Sequence, residues 1–454
     1  MRTHLRTLAA SVLLAATTLS SSYAAEVEFL NASGALPANL PFSDAVRVGN
    51  LYFLSGQLGV KPGTMELVQG GMEAEARQTM ENIATVLKAN GLAMSDIVKC
   101  TVMLADMADW GAFNEVYRSF FTPPYPARSA FGATGLGLGA CATGTPYSFH
   151  VRRANPEKVM IFFNGGGACW STGSCDISGK PTYRPFANAE AGNDPRHYDG
   201  AFALNNPENP FLDWSQIFVS YCTGDVHLGT AKREYTRKDG TRFTIAHQGW
   251  ANSSAALEYL FNSFPAPEHV VVSGGSAGAL SSPLFAALIA RHYNEAQITH
   301  FAGGAGGYRL PAPAALWQQW GVFAAFPDWY NARGETPDTL TMPDLYRLAA
   351  DAAPGVRFHL FDHAYDAVQE DFLRMLGYPA DLLPGLDANV AELQAEIPLL
   401  RSYVSAGEFH TLLRYSELYS RGTNDVRAVD WVRSIINGET VDDVHCTAPA
   451  GCRQ

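Results

Sequence analysis

Ser276 sits in the run Gly274-Gly275-Ser276-Ala277-Gly278, after the apolar stretch Val270-Val271-Val272 and before a segment rich in Ala and Leu. A serine framed by glycines at a strand-to-helix turn can be projected as a nucleophile, because glycine lets the backbone turn sharply there. A phosphate-binding loop would need a lysine after the last glycine, and none follows. Asn164-Gly165-Gly166-Gly167-Ala168 directly follows a second apolar run, Val159 to Phe163. Bare glycines let backbone N–H groups approach a developing negative charge. Gly166 or Gly167, together with Ala277 after the serine, are the expected oxyanion donors. An acid and then a base are expected downstream, in the order Ser, Asp, His. Asp366 is the candidate acid, with Asp362 as the nearer rival. His410 is the candidate base, since His359 and His363 lie beside the acid strand and His445 lies in the Cys446 loop region. This constellation attacks carboxylic esters through an acyl-enzyme and needs no metal or organic cofactor.

The elements that must carry these residues follow from the pattern. Continuous apolar runs at Val159–Phe163, Ile217–Val219, Val270–Val272 and Val356–Phe361 read as buried parallel strands. They alternate with helical stretches, which predicts an α/β-hydrolase-like doubly wound, mostly parallel sheet from residue 141 to residue 454.

Residues 26–140 read differently. Ala45–Val48 and Leu51–Leu54 flank the turn Gly49-Asn50, and Ala76, Met80, Ile83, Ala84 and Leu87 form one helical stripe. Val98–Leu104 predicts a strand and Gly111–Phe121 a second amphipathic helix stopped at Pro123-Pro124. The expectation is a small α+β domain.

Five stretches of this segment carry a resemblance: Phe42–Val46, Leu54–Gln57, Cys100–Val102, Phe113–Tyr117 and Pro126–Ala130. The segment resembles the RidA/YjgF family of reactive-intermediate (imine/enamine) deaminases, which implies a chorismate-mutase-like fold. The resemblance implies that Arg128 clamps a substrate carboxylate, and that the chain assembles as a homotrimer with sites between subunits. Two departures stand out. Phe42 occupies a position where the family has tyrosine, and the family's last strand, which carries the acid that positions water, is missing after Ala140. Imine deamination or small-molecule binding through this domain is the alternative function.

The second domain resembles the pectin acetylesterase/Notum family along most of its length. The matching stretches include Cys141–Pro146, Gly165–Trp170, Asn205–Pro210, Tyr221–His227, Gly274–Gly278, Ala364–Asp366 and Phe409-His410. The resemblance implies a Ser276–His410–Asp366 triad, carboxylic-ester hydrolysis, and the pairs Cys141–Cys222 and Cys169–Cys175. Ala168 departs from the family's plant members, which tend to carry tryptophan there. Asp225 and His227 lie in a family motif and read as a buried polar pair that holds a loop.

Bulk properties bound the rest. The 454-residue chain has a net charge of −12, which disfavours a nucleic-acid partner. The expected substrate is a small ester or an acylated polymer. Residues 1–25 have the layout of a secretory signal peptide: Arg2, His4 and Arg6, an apolar run from Leu8 to Leu19, then small residues at Ser22 and Ala24. No later stretch is long and apolar enough to span a membrane, so the mature chain is expected to be secreted or periplasmic with no membrane attachment. Of the 7 cysteines only Cys100 precedes residue 140. An even set in the remainder of an exported chain suggests disulfides. Cys169/Cys175 and Cys446/Cys452 are close enough to pair locally, which leaves Cys141 with Cys222.

Overall fold

The computed structural model describes residues 26–37, 40, 42–104, 109–132, 139–190, 192–309, 314–331, 334–447 and 451–453. The expected signal peptide lies outside the described residues. The chain divides into two compact units after Gly132.

The first unit contains β1 (Val27–Leu30), β2 (Ala45–Val48), β3 (Leu51–Leu54), α1 (Met72–Ala89), β4 (Lys99–Leu104), α2 (Trp110–Arg118) and β5 (Ala127–Gly132). β1, β2 and β3 form an antiparallel sheet, and β4 pairs β5 in parallel. The stripe expected on α1 buries Ala76 and Met80 against Val102, Phe113 and Val116. Among the described residues no strand after Gly132 joins either sheet.

The second unit is built on an eight-stranded sheet. Its early members are β6 (His150–Arg152), β7 (Asn155–Phe163) and β8 (Trp214–Val219). A separate hairpin of β9 (Lys232–Thr236) and β10 (Arg242–Ala246) follows. The sheet continues with β11 (His269–Gly275), β12 (Gln297–Gly303), β13 (Arg357–His363) and β14 (Arg401–Ser405); the short β15 (Gly422–Thr423) and β16 (Val426–Arg427) pair with each other, and β17 (Val444–His445) ends the order β17-β14-β13-β12-β11-β7-β8-β6. Every neighbouring pair is parallel except β6 with β8. The helices are α3 (Thr172–Cys175), α4 (Gly249–Ser263), α5 (Ala277–His292), α6 (Ala314–Trp320), α7 (Met342–Ala352), α8 (Ala367–Met375), α9 (Leu382–Glu396), α10 (Glu417–Ser420) and α11 (Ala428–Ile436).

The apolar runs are continuous because both faces of the sheet are covered. Val159, Ile161 and Phe163 point into one core with Leu260 of α4, Phe285 of α5 and Leu345 of α7. Met160 and Phe162 point into the other, with Trp431 and Val432 of α11. Burying such side chains contributes about 25 cal/mol per Å² of apolar surface, the main term holding the site's scaffold.

The second unit begins earlier than the sequence suggests. Ala140, assigned above to the first domain, accepts from Gln248 Nε2 at 2.7 Å and Asn252 Nδ2 at 3.0 Å. Gly139 O accepts from Tyr147 N at 2.7 Å. Three disulfides, Cys141–Cys222, Cys169–Cys175 and Cys446–Cys452, cross-link this unit, and Cys100 is a free thiol. No helix of the described residues is long and apolar enough to cross a membrane.

Candidate functional site

Ser276 stands between β11 and α5 with φ at 56°, a left-handed conformation that costs a non-glycine residue energy. The strain is held by close packing on either side. A Cβ on Gly278 would lie 2.0 Å from Phe163 O, and one on Gly274 would lie 2.3 Å from Gly278 O. Only glycine lets α5 start this close to β7. The Ser276 N–H donates to Gly303 O at 2.9 Å, which docks the turn on the end of β12.

The glycine loop after β7 lies against this turn. A Cβ on Gly165 would fall 2.7 Å from Ser276 Cβ, so the two segments touch through bare backbone. Among the described residues the N–H groups of Gly166, Gly167 and Ala277 have no hydrogen-bond partner within the protein. Ala277 begins α5, where a free N–H and the positive end of the helix both favour negative charge.

Asp366 caps α8. Its Oδ1 accepts from the N–H of Val368 at 3.0 Å and of Gln369 at 3.1 Å. Its Oδ2 accepts from Gln369 Nε2 at 3.0 Å and meets His410 Nδ1 at 2.6 Å. The carboxylate is fully buried, and the imidazole is 17% exposed, which leaves it reachable. The contact assigns the proton on the ring to Nδ1 and leaves Nε2 as the free acceptor. The ring also lies over the end of β12: a Cβ on Gly304 would touch His410 Cε1 at 3.0 Å. No hydrogen bond joins Ser276 Oγ to His410; such contacts commonly tighten only around substrate.

Asp362 does not face the histidine. Its Oδ1 accepts from Gly306 N at 3.0 Å and from Gln369 Nε2 at 2.9 Å. Burial pushes its carboxyl up to about 7, with the nearby Asp366 charge adding to the shift. His359 Nδ1 donates to His300 O at 2.9 Å, and His445 lies beside Asp387. Cys169 and Cys175 approach His247, and Cys446 and Cys452 approach His445, but both cysteine pairs are disulfides and offer no thiolate to a metal.

The motif around Asp225 serves the glycine loop, which sequence reading alone did not resolve. His227 Nε2 lies 2.8 Å from Asn164 O, one residue before Gly165. Asp225 holds that turn, accepting from Thr223 Oγ1 at 2.6 Å and Gly249 N at 2.7 Å. Burial lowers His227 to about 4 and raises Asp225 to about 6.

A cavity of about 300 Å³ opens on Ser276, Ala277, Gly167 and Ala168. Its far walls are Trp170, Leu280, Trp317, Trp320, Met342 and Phe372. This lining is mostly apolar and aromatic, with Arg309 and Asp381 as its charged members.

In the first unit, Arg128 lies between two rings, its guanidinium carbon 4.4 Å from the centroids of both Trp110 and Tyr117. Nη2 donates to Asn114 Oδ1 at 2.7 Å, and the buried Nη1 has no partner. These residues, with Tyr125 and Ala130, line a cavity of about 710 Å³. A planar cation with a free donor can take a carboxylate.

Two family models match the chain: "Endoribonuclease L-PSP" over residues 32–141 and "Pectinacetylesterase" over residues 137–310. The 2-iminobutanoate/2-iminopropanoate deaminase of Mus musculus is 42% identical over 100 residues, covering 22% of this chain and 74% of that protein. Protein DfrA of Myxococcus xanthus is 45% identical over 102 residues, covering 22% of this chain and 78% of that protein. Among solved structures, the Wnt deacylase Notum from Drosophila matches with a TM-score of 0.48 and 14% identity, covering 70% of this chain and 96% of that one.

Proposed function

We propose that this chain, which belongs to the Endoribonuclease L-PSP family through residues 32–141 and carries a pectinacetylesterase domain in residues 137–310, works as an esterase through that second domain. The observation that carries the reading is the 2.6 Å contact of His410 Nδ1 with the buried Asp366, at the end of the sheet where Ser276 opens into an apolar cavity.

In this reading the substrate's acyl group enters the cavity and its carbonyl oxygen lies toward Gly166, Gly167 and Ala277. His410 Nε2 takes the proton of Ser276 Oγ as the serine attacks the carbonyl. Asp366 holds the tautomer and stabilises the imidazolium, and the backbone N–H groups receive the oxyanion. The imidazolium then gives its proton to the departing alkoxide. Water, deprotonated by His410, frees the carboxylic acid from the acyl-serine. Donors aimed at charge present only after attack lower the barrier without tightening substrate binding. The substrate is a small ester or an acylated polymer. Three disulfides fit an oxidising compartment, which supports a secreted or periplasmic location.

The test is a panel of p-nitrophenyl esters of rising chain length, with Ser276→Ala as control. Hydrolysis abolished by that change is the expected result. Equal hydrolysis by the folded variant would refute it.

A further inference from the structure

Arg414 is buried, and among the described residues no carboxylate touches it. Its Nη1 donates to Asn164 Oδ1 at 3.0 Å and to Tyr198 Oη at 3.4 Å, and its Nη2 donates to Thr411 Oγ1 at 3.2 Å. The guanidinium carbon lies 5.3 Å from the ring centroids of both Tyr198 and Tyr415, and Nε has no partner. A cation taken out of water and paired only with neutral groups is expensive. What it joins gives that expense a use.

Thr411 follows His410 and is held at a φ of 62°. Its methyl packs on the residue before Ser276, since a Cβ on Gly275 would meet Thr411 Cγ2 at 3.5 Å. Asn164 precedes the glycine loop, and all its polar groups are engaged. Its N–H donates to Val219 O at 3.0 Å and its carbonyl meets His227 Nε2 at 2.8 Å. Its Nδ2 donates to Gly192 O and Asn193 Oδ1, both at 2.9 Å, and its Oδ1 takes Arg414. One guanidinium thus ties the segment that carries the base to the strand end that starts the oxyanion loop, across a sequence separation of 250 residues. The planar fork reaches both acceptors at once, which an ammonium cannot do in the same geometry.

We propose that Arg414 is a positioning residue for ester hydrolysis, holding His410 and the Gly165–Gly167 loop in register through Thr411 and Asn164. The proposal rests on the esterase reading. Misplacement by about 1 Å costs on the order of 100-fold in rate. The loss falls on kcat and spares KM, because the tie serves charge that exists only after attack.

The experiment measures kcat and KM on p-nitrophenyl butyrate for full-length wild type, R414Q, R414K, T411V and R414Q/T411V, with active sites counted by a fluorophosphonate. R414Q should lower kcat by about 30-fold or more with KM within about threefold, and R414K should recover part of the loss. T411V should lower kcat by about three- to tenfold, and the double variant should be no worse than R414Q within about twofold, as coupled residues behave. A kcat per active site within threefold of wild type in R414Q, or effects of the two changes that multiply, would overturn the tie. If R414Q does not fold, T411V decides alone, and unchanged kcat overturns the proposal. A wild type that hydrolyses no ester overturns the esterase reading and this one with it, whereas an active wild type matched by its variants overturns only the tie.

Discussion

Asp362 and Asp366 share a donor: Gln369 Nε2 lies 2.9 Å from Asp362 Oδ1 and 3.0 Å from Asp366 Oδ2. One carboxylate therefore stands behind the other, and only Asp366 reaches His410. Asp366→Asn is expected to lower kcat by about 10³- to 10⁴-fold, through the wrong tautomer. Asp362→Asn, which keeps the shape and removes a charge that burial penalises, is expected to stay within about tenfold of wild type. Steady-state kinetics on both variants check this, and the reverse ranking would transfer the acid's role to Asp362.

The cavity sets a second expectation. Each methylene taken into its apolar walls is worth about 0.8 kcal/mol, or roughly fourfold in kcat/KM. Acyl esters from C2 to C10 should therefore rise in kcat/KM beyond butyrate before falling. Leu280→Trp, one turn into α5 from Ser276, should move the optimum toward acetate. A wild-type optimum at acetate would show that the cavity does not receive the acyl chain.

Acid should unfold the second unit. His227, His247, His269, His359 and His363 are lowered to about 4 and His300 to about 3, with burial the leading cause for each. These histidines stay neutral in the fold at pH values where the unfolded chain takes up protons. The stability they carry is complete above about 6.5 and is lost as pH falls from there toward 4. Asp362, raised to about 7, and Asp225, raised to about 6, act in the opposite sense, costing stability as pH rises through those values. The histidines outnumber them, so Tm at pH 5 should lie at least about 5 °C below Tm at pH 7.5. Calorimetry showing a flat or rising Tm would contradict this balance.

Cys141–Cys222 closes a loop with a sequence separation of 81. On the chain-entropy account such a link contributes about 4–5 kcal/mol. The double change Cys141→Ser, Cys222→Ser should lower Tm more than the matching change at Cys169 and Cys175, whose separation is 6. Equal losses would point to packing in place of loop closure.

The first unit keeps Arg128 and its aromatic cradle, but no strand after Gly132 completes its sheets among the described residues. The full-length protein is expected to bind a small 2-oxo acid without turning over 2-aminoacrylate-type imines. A chain starting at Gly139 is expected to keep the esterase rate. Imine hydrolysis lost in Arg128→Ala would instead make the protein bifunctional.

The local parts of the site were legible in the sequence. Val270–Val272 followed by spaced glycines around Ser276 specifies a buried strand, a strained turn and the start of a helix, a signal confined to residues 270–278. Asp366 and His410 were reached by order and resemblance, not by any periodic signal. The long-range parts were hidden. No local sequence pattern points to the contact of Arg414 with Asn164, or to the place of Gln369 between two carboxylates. The cavity walls come from the glycine loop and from α5, α6, α7 and α8, so no window of sequence contains them. The edge strand β6 has three residues, His150–Arg152, and Tyr147 packs against Gly139.

The Cys141–Cys222 link has a mechanical consequence. Cys141 is the covalent anchor nearest the point where the chain enters the second unit, and its partner lies just beyond the end of β8, a central-sheet strand. A pull on the N-terminal side is borne by a sulfur–sulfur bond before it can load the three residue pairs of β6 with β8. Tethering the protein by its N-terminus to a bead or surface should therefore leave the second unit under no tension that could unzip its edge, whereas a reducing buffer would expose that edge to the full force.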